Sequence, residues 1–252
     1  MKLAFKEFGS GQPMIILHGL FGSSDNWQTL GKRFAENFKV YLVDQRNHGR
    51  SPHSDVFNYD VMARDLKDFV TDHNIEKAII IGHSMGGKTT MRFAQLFPEK
   101  VEKIISVDMG VKAYPSHHEK ILEAFKKLNL KAIESRKDAD REVAGLIPEF
   151  GVRQFILKNL FRKGKSEFGW RVNYTVIEEE MDNILAPLPK QSAAVPALFI
   201  YGSKSDYIKE GDKHQIRSIF ENAEFTELQA GHWIHAEVPE AFYDEVKKFV
   251  TK

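Results

Sequence analysis

The chain has 252 residues, 42% hydrophobic and 28% charged, with a formal net charge of +1, enough for one large α/β domain, alone or with an insertion. So little charge gives no long-range attraction to nucleic acid or an anionic membrane, and neither is expected as a partner. The absence of cysteine excludes disulfides, thiolate nucleophiles and thiolate metal sites. Met1–Glu7 lacks the apolar region of a signal peptide, and no apolar run approaches about 18 residues. A cytoplasmic protein without an integral membrane segment is expected.

Leu3 to Phe8 alternates as an edge strand would, and the turn Gly9-Ser10-Gly11-Gln12-Pro13 leads to a buried run, Met14-Ile15-Ile16-Leu17, which ends in His18-Gly19-Leu20. Ser23 to Phe38 opens on capping residues and then has helical spacing through Trp27, Leu30 and Phe34. Val40 to Val43 is a third apolar run, and Asp44 to Pro52 a polar loop. Asn58 to His73 places Val61, Met62, Leu66, Phe69 and Val70 on one face of an amphipathic helix. Ala78-Ile79-Ile80-Ile81 is next, a run suited to a fully buried parallel strand. Gly82-His83-Ser84-Met85-Gly86 follows at once, and Met85 to Phe97 then switches to helical period.

Val101 to Val107 is a further strand, ending at Asp108. From Val111 to Ala194 no strand-like run is found: Glu119 to Leu128 and Val152 to Phe161 have helical patterns, and Lys163-Gly164-Lys165-Ser166 the composition of a loop. Strands resume at Val195 to Tyr201, with a helix expected to about Phe220, and at Glu224 to Leu228; Pro239 to Val250 is a closing helix. Short apolar runs alternating with helices specify a mostly parallel sheet covered on both faces. The expected organisation is therefore a core of residues 1–110 and 195–252, with 111–194 inserted as a helical cap.

In an open α/β sheet, ligands bind outside the carboxyl ends of the strands, so the residues just after each strand carry the chemistry. They include Ser84, Asp108, Asp206 and His232. A G-x-S-x-G match alone says little, but between a strand and a helix it is the context of a nucleophile elbow, with Ser84 at the apex. A serine hydroxyl needs a base, and His232, in the Gly-containing loop after the last strand, is placed to be one. The base in turn needs a carboxylate to hold its tautomer, and Asp108 or Asp206 is placed to supply it. Met85, following the nucleophile, and Leu20, in the turn after the second strand, are the expected backbone donors to an oxyanion. His18 and His83 are expected to shape these loops, and His235 to enter a helix.

The strings HGLFGSSDNW, DQRNHGRSP, GHSMGGKTTM and AGHWIHAEVPEAF resemble the α/β-hydrolase superfamily over the whole length. Within it they resemble a YbfF-type branch of bacterial esterases, related to a mitochondrial α/β-hydrolase. That resemblance implies an eight-stranded sheet with a helical cap. It also implies a metal-free, cofactor-free hydrolase of small-molecule esters or thioesters. The superfamily's usual acid stands three residues after the glycine of the penultimate strand; here that place is Ser205, with Asp206 one residue late. The resemblance includes a variation with the carboxylate one strand earlier, which favours Asp108. The same triad would serve a cofactor-free perhydrolase or a carbon–carbon hydrolase, and non-catalytic ligand binders share the fold. The aromatic residues Phe125, Phe150, Phe155, Phe161, Phe168 and Trp170 are candidates for an acyl pocket or for the core of the cap.

Overall fold

A computed structural model describes residues 1–164 and 167–252. The elements run β1 (Phe5–Phe8), β2 (Pro13–Leu17), a 3-10 turn (Ser24–Trp27), α1 (Gln28–Phe34), β3 (Lys39–Val43), α2 (Tyr59–Asp72), β4 (Ala78–His83), α3 (Met85–Leu96) and β5 (Val101–Val107). The inserted segment then supplies α4 (Glu119–Lys127), α5 (Arg136–Val143), α6 (Phe150–Leu157), β6 (Leu160–Lys163), β7 (Glu167–Trp170), α7 (Tyr174–Glu179) and α8 (Met181–Leu185). The chain closes with β8 (Ala197–Gly202), α9 (Asp212–Arg217), β9 (Ala223–Leu228), α10 (Ile234–Glu237) and α11 (Pro239–Val250).

The main sheet has the order β1-β3-β2-β4-β5-β8-β9. β1 pairs antiparallel with β3 and every other pairing is parallel. The two faces follow from the period of two along a strand. Ile15, Leu17, Tyr41, Val43 and Ile80 point toward Met62, Leu66 and Phe69 of α2 and Met91 and Phe93 of α3. Met14, Ile16, Val40, Leu42, Ile79 and Ile81 point the other way, toward Trp27, Leu30 and Phe34 and toward Phe242 and Val246 of α11. Ile79, Ile80 and Ile81 are fully buried, so a continuous apolar run, rather than an alternating one, marks a strand covered on both sides. No helix among the described residues is long and apolar enough to cross a membrane.

Several expectations are corrected. The main sheet has seven strands, not eight: each of the seven strand-like segments outside the insertion forms one strand, and none remains for another. The insertion is not free of strands, because β6 and β7 form an antiparallel hairpin with Leu160 opposite Trp170. The helix expected over Val152 to Phe161 ends at Leu157. Asn159 stops it, its side-chain amide donating to the Ile156 carbonyl and, outside the helix, to that of Phe21. At the expected loop, Gly164 takes a positive φ of 79° directly after β6, a conformation that glycine adopts at no steric cost; Lys165 and Ser166 lie outside the described residues. The helix expected to run to Phe220 is only the short α9, and the pattern from Ser23 to Phe38 divides into the 3-10 turn and α1.

Candidate active site

Ser84 joins β4 to α3 with φ 51° and ψ −120°, a conformation costly for any residue with a side chain. The flanking glycines make the turn possible. A Cβ on Gly82 would lie 2.1 Å from the Gly86 carbonyl oxygen, and one on Gly86 would lie 2.5 Å from that of Leu17. Strand and helix therefore approach as closely as bare backbone allows. Ser84 Oγ has no hydrogen-bond partner among the described residues and lies beside the same cavity as the His232 side chain.

Asp108 follows β5, fully buried, with a positive φ of 49°. Its Oδ2 lies 2.7 Å from His232 Nδ1. Oδ1 accepts the Gly202 N–H at 3.1 Å, and the Ser205 hydroxyl donates to Oδ2. The carboxylate is thus aimed at the imidazole from a site with no access to water. Asp206 is not brought there: its side chain is 91% exposed and pairs with Lys209 at 3.1 Å. The His232 loop is held at a second point, where His83 Nε2–H donates to the His232 carbonyl at 2.9 Å. Tyr207 stacks on the His232 ring with centroids 4.0 Å apart.

The turn carrying Leu20 is set by the loop after β3. His18 Nε2 accepts the Gln45 N–H at 3.0 Å, and His48 Nε2 accepts the Phe21 N–H at 3.1 Å. Each uses Nδ1–H toward a carbonyl, Gly19 and Arg46 respectively, so both imidazoles are neutral and of one tautomer. Burial pushes His48 down to about 3 and lowers His18 too. Asp44 accepts from the Ser24 N–H at 2.6 Å and the Arg50 N–H at 2.9 Å. Arg46 reaches Asp65 through two bonds, of 2.6 and 2.9 Å. Neither the Leu20 nor the Met85 N–H has a hydrogen-bond acceptor among the described residues. Leu20, Met85 and Ser84 line one chamber.

That chamber, of about 20 Å³, also meets Tyr59, Met109 and Ile184. A second cavity of about 330 Å³ adjoins it at Ser84, Leu20, His118 and Tyr207, and is bounded further by His232, Phe21, Ile121, Val152, Phe155 and Trp233. Of the six aromatic candidates for an acyl pocket or for the core of the cap, Phe155 lines this larger cavity. Phe125 and Phe168 are buried in the packing of the insertion, and Phe150 is 64% exposed.

A family model described as "alpha/beta hydrolase fold" matches residues 12–140. A mouse protein named sn-1-specific diacylglycerol lipase ABHD11 is 35% identical over 248 residues, 94% of this chain and 80% of its own. The chain belongs to the α/β-hydrolase family. Within that family it is similar to the Escherichia coli esterase YbfF, with 33% identity over 96% of this chain and 94% of that one. A solved "Marine microorganism esterase" superposes with a TM-score of 0.96 at 40% identity, covering 98% of this chain and 99% of the other. The YbfF-type branch that the four strings resemble is therefore the branch in which this α/β hydrolase stands.

Sequence reasoning missed several residues of this α/β hydrolase. Tyr207 and His48 touch the candidate site only through contacts between loops far apart in sequence, and periodicity carries no trace of those; the sequence marks Ser205 only as the place of the usual acid, not as a donor to Asp108. Lys88 was missed for a different reason: it lies within the GHSMGGKTTM string but on the buried side of α3. Its ammonium donates to the Ala186 carbonyl after α8 and lies 5.0 Å from the centre of the Tyr114 ring. Burial pulls its pKa down to about 7. The first turn of the elbow helix is thereby tied to the end of the insertion.

Proposed function

We propose that the chain is a serine-dependent carboxylester hydrolase, with Ser84 as nucleophile, His232 as general base and acid, and Asp108 as the orienting carboxylate. The contact that carries the reading is the 2.7 Å pair between Asp108 Oδ2 and His232 Nδ1. It directs the opposite nitrogen, Nε2, toward the cavity in which Ser84 stands. Ser84 Oγ attacks the ester carbonyl as Nε2 takes its proton. Asp108 keeps the proton on Nδ1 and stabilises the imidazolium without taking that proton up. The carbonyl oxygen, now negative, takes the Leu20 and Met85 N–H groups, the latter at the start of α3, where the helix dipole adds to the attraction. Collapse of the tetrahedral species breaks the ester C–O bond, and Nε2 gives its proton to the departing alcohol oxygen. Water, deprotonated by the same nitrogen, then hydrolyses the acyl-Ser84 ester and restores the serine. The scheme applies equally to a thioester with a thiol leaving group, and residues 111–194 act as the cap that closes the cavity over it.

Release of p-nitrophenol from a short-chain p-nitrophenyl ester tests this reading. An initial burst equal to the enzyme concentration is expected when deacylation is slower, with turnover abolished in Ser84→Ala. No acylation of the wild type, or equal turnover by Ser84→Ala, would sink it.

A further inference from the structure

Which side of the scissile bond enters which cavity follows from the cavity linings. The two spaces that meet at Ser84 differ in one respect that decides it. Both are lined by Ser84 and Leu20, but His232 lines only the larger cavity, whereas Met85, the other candidate oxyanion residue, lines only the small chamber. The proton that expels the alcohol comes from His232, so the leaving oxygen must face the larger cavity. With the carbonyl oxygen between Leu20 and Met85, the remaining substituent, the acyl chain, points into the small chamber.

Resting on the triad reading above, we infer that this enzyme is selective for short acyl groups, acetyl or propionyl, on bulky apolar alcohols. The chamber offers about 20 Å³, while roughly 10–15 Å³ of such space is needed for one water-sized group. Its walls are built rather than open. Ile184, Met109 and Tyr59, which line it, are all buried. The Tyr59 hydroxyl is fixed on the Ile184 carbonyl at 2.8 Å, and the Tyr114 hydroxyl donates to the Tyr207 carbonyl at 2.9 Å. With those hydroxyls engaged, the chamber presents methyl, thioether and ring surface to the substrate, beside the His118 imidazole, whose buried Nδ1 has no hydrogen-bond partner among the described residues. The larger cavity, at about 330 Å³, is within the range of sites that enclose a small organic molecule, and Ile121, Val152, Phe155 and Trp233 make it apolar.

The test compares kcat/KM for p-nitrophenyl acetate, butyrate and octanoate, which share a leaving group. Acetate is expected to exceed octanoate by at least about 10-fold, the smallest discrimination that a closed apolar pocket makes over one methylene. Ile184→Ala, which enlarges the chamber, should raise the octanoate-to-acetate ratio by about the same factor. Ile184→Val, a gentler change that keeps the fold, should raise the butyrate-to-acetate ratio in the same direction. Phe155→Ala in the larger cavity should weaken cyclohexylmethyl acetate relative to ethyl acetate and leave the acyl ratios where they were. Wild-type enzyme that cleaves octanoate as fast as acetate overturns the inference and leaves the triad standing. Wild-type enzyme that cleaves no ester overturns both.

Discussion

Replacing Asp108 by asparagine tests the candidate site at its most buried contact. The fold should survive, since asparagine tolerates the positive φ at this position and its side-chain oxygen can still accept the Gly202 N–H. What is lost is the charge 2.7 Å from His232 Nδ1. Two unit charges at that separation interact by about 6 kcal/mol at an effective dielectric of about 20, worth some four powers of ten in rate. An amide N–H2 turned toward Nδ1 would also force the proton onto Nε2, the nitrogen that must accept from Ser84. A fall in kcat of about 10⁴-fold is therefore expected, with KM little changed because Asp108 touches no substrate. Asp206→Asn is the internal comparison. With a side chain 91% exposed, it should alter kcat by less than about twofold, surface ion pairs being worth little. Steady-state turnover of a p-nitrophenyl ester, with circular dichroism to verify folding, measures both. A well-folded Asp108→Asn with undiminished kcat, beside an Asp206→Asn reduced by orders of magnitude, would refute the assignment.

Two further outcomes follow from packing and from buried imidazoles. Gly86→Ala should cost about 3 kcal/mol or more in thermal unfolding, because its Cβ would lie 2.5 Å from the Leu17 carbonyl oxygen, whereas Gly211→Ala, with nothing within 4 Å, should be close to neutral; equal Tm values for the two would refute the close-approach reason for the elbow glycine. Burial holds His48 and His235 at about 3 and His118 at about 4 in the folded chain, against about 6.5 when unfolded. Because these folded values are depressed, the unfolded chain binds the extra protons first. The associated stability is complete above about pH 6.5 and is lost as pH falls toward 4. At pH 5.5 each of the three groups costs about 1.4 kcal/mol, together about 4 kcal/mol, or roughly 10 °C in Tm relative to pH 7.5. A Tm that does not move over that interval would show that the imidazoles are not buried neutral.

The central strands and the elbow were legible because one physical cause writes them plainly: a strand buried on both faces must be apolar without a break, and Ala78–Ile81 is. The helix at Asn58 was equally clear, and there the asparagine side chain does cap, accepting the Val61 N–H at 3.1 Å. The hairpin of β6 and β7 was not legible, since four-residue strands with Arg162 and Lys163 exposed carry no alternation to detect. Nor could spacing separate Asp108 from Asp206. Both follow strands, and the difference between them is burial and a backbone turn of positive φ, which arise only when β5 and β8 lie side by side. The partner of His48, the Phe21 N–H, is likewise a product of the sheet order that brings β2 beside β3.

That same sheet order predicts that the proposed orienting carboxylate could be supplied from either of two strands. β5 and β8 are parallel neighbours, with Val107 opposite Ile200, so the loops leaving them share one edge and face one imidazole. Ser205, three residues after β8 ends, donates its hydroxyl to Asp108 Oδ2, which puts its Cβ within one side-chain length of the place the charge is needed. A carboxylate built there would reach nearly the same point from the other strand. The double variant Asp108→Asn/Ser205→Asp should therefore regain about 10² of the roughly 10⁴ lost by Asp108→Asn alone, since a relocated charge restores most of the Coulomb term but not the ideal geometry. Ser205→Asp by itself should be impaired, because two carboxylates would then crowd one imidazole and one of them must take up a proton. If the double variant folds and remains as inactive as the single, the charge at Nδ1 cannot be supplied from β8, and the placement of the acid after β5 is a requirement of this site rather than one of two equivalent solutions.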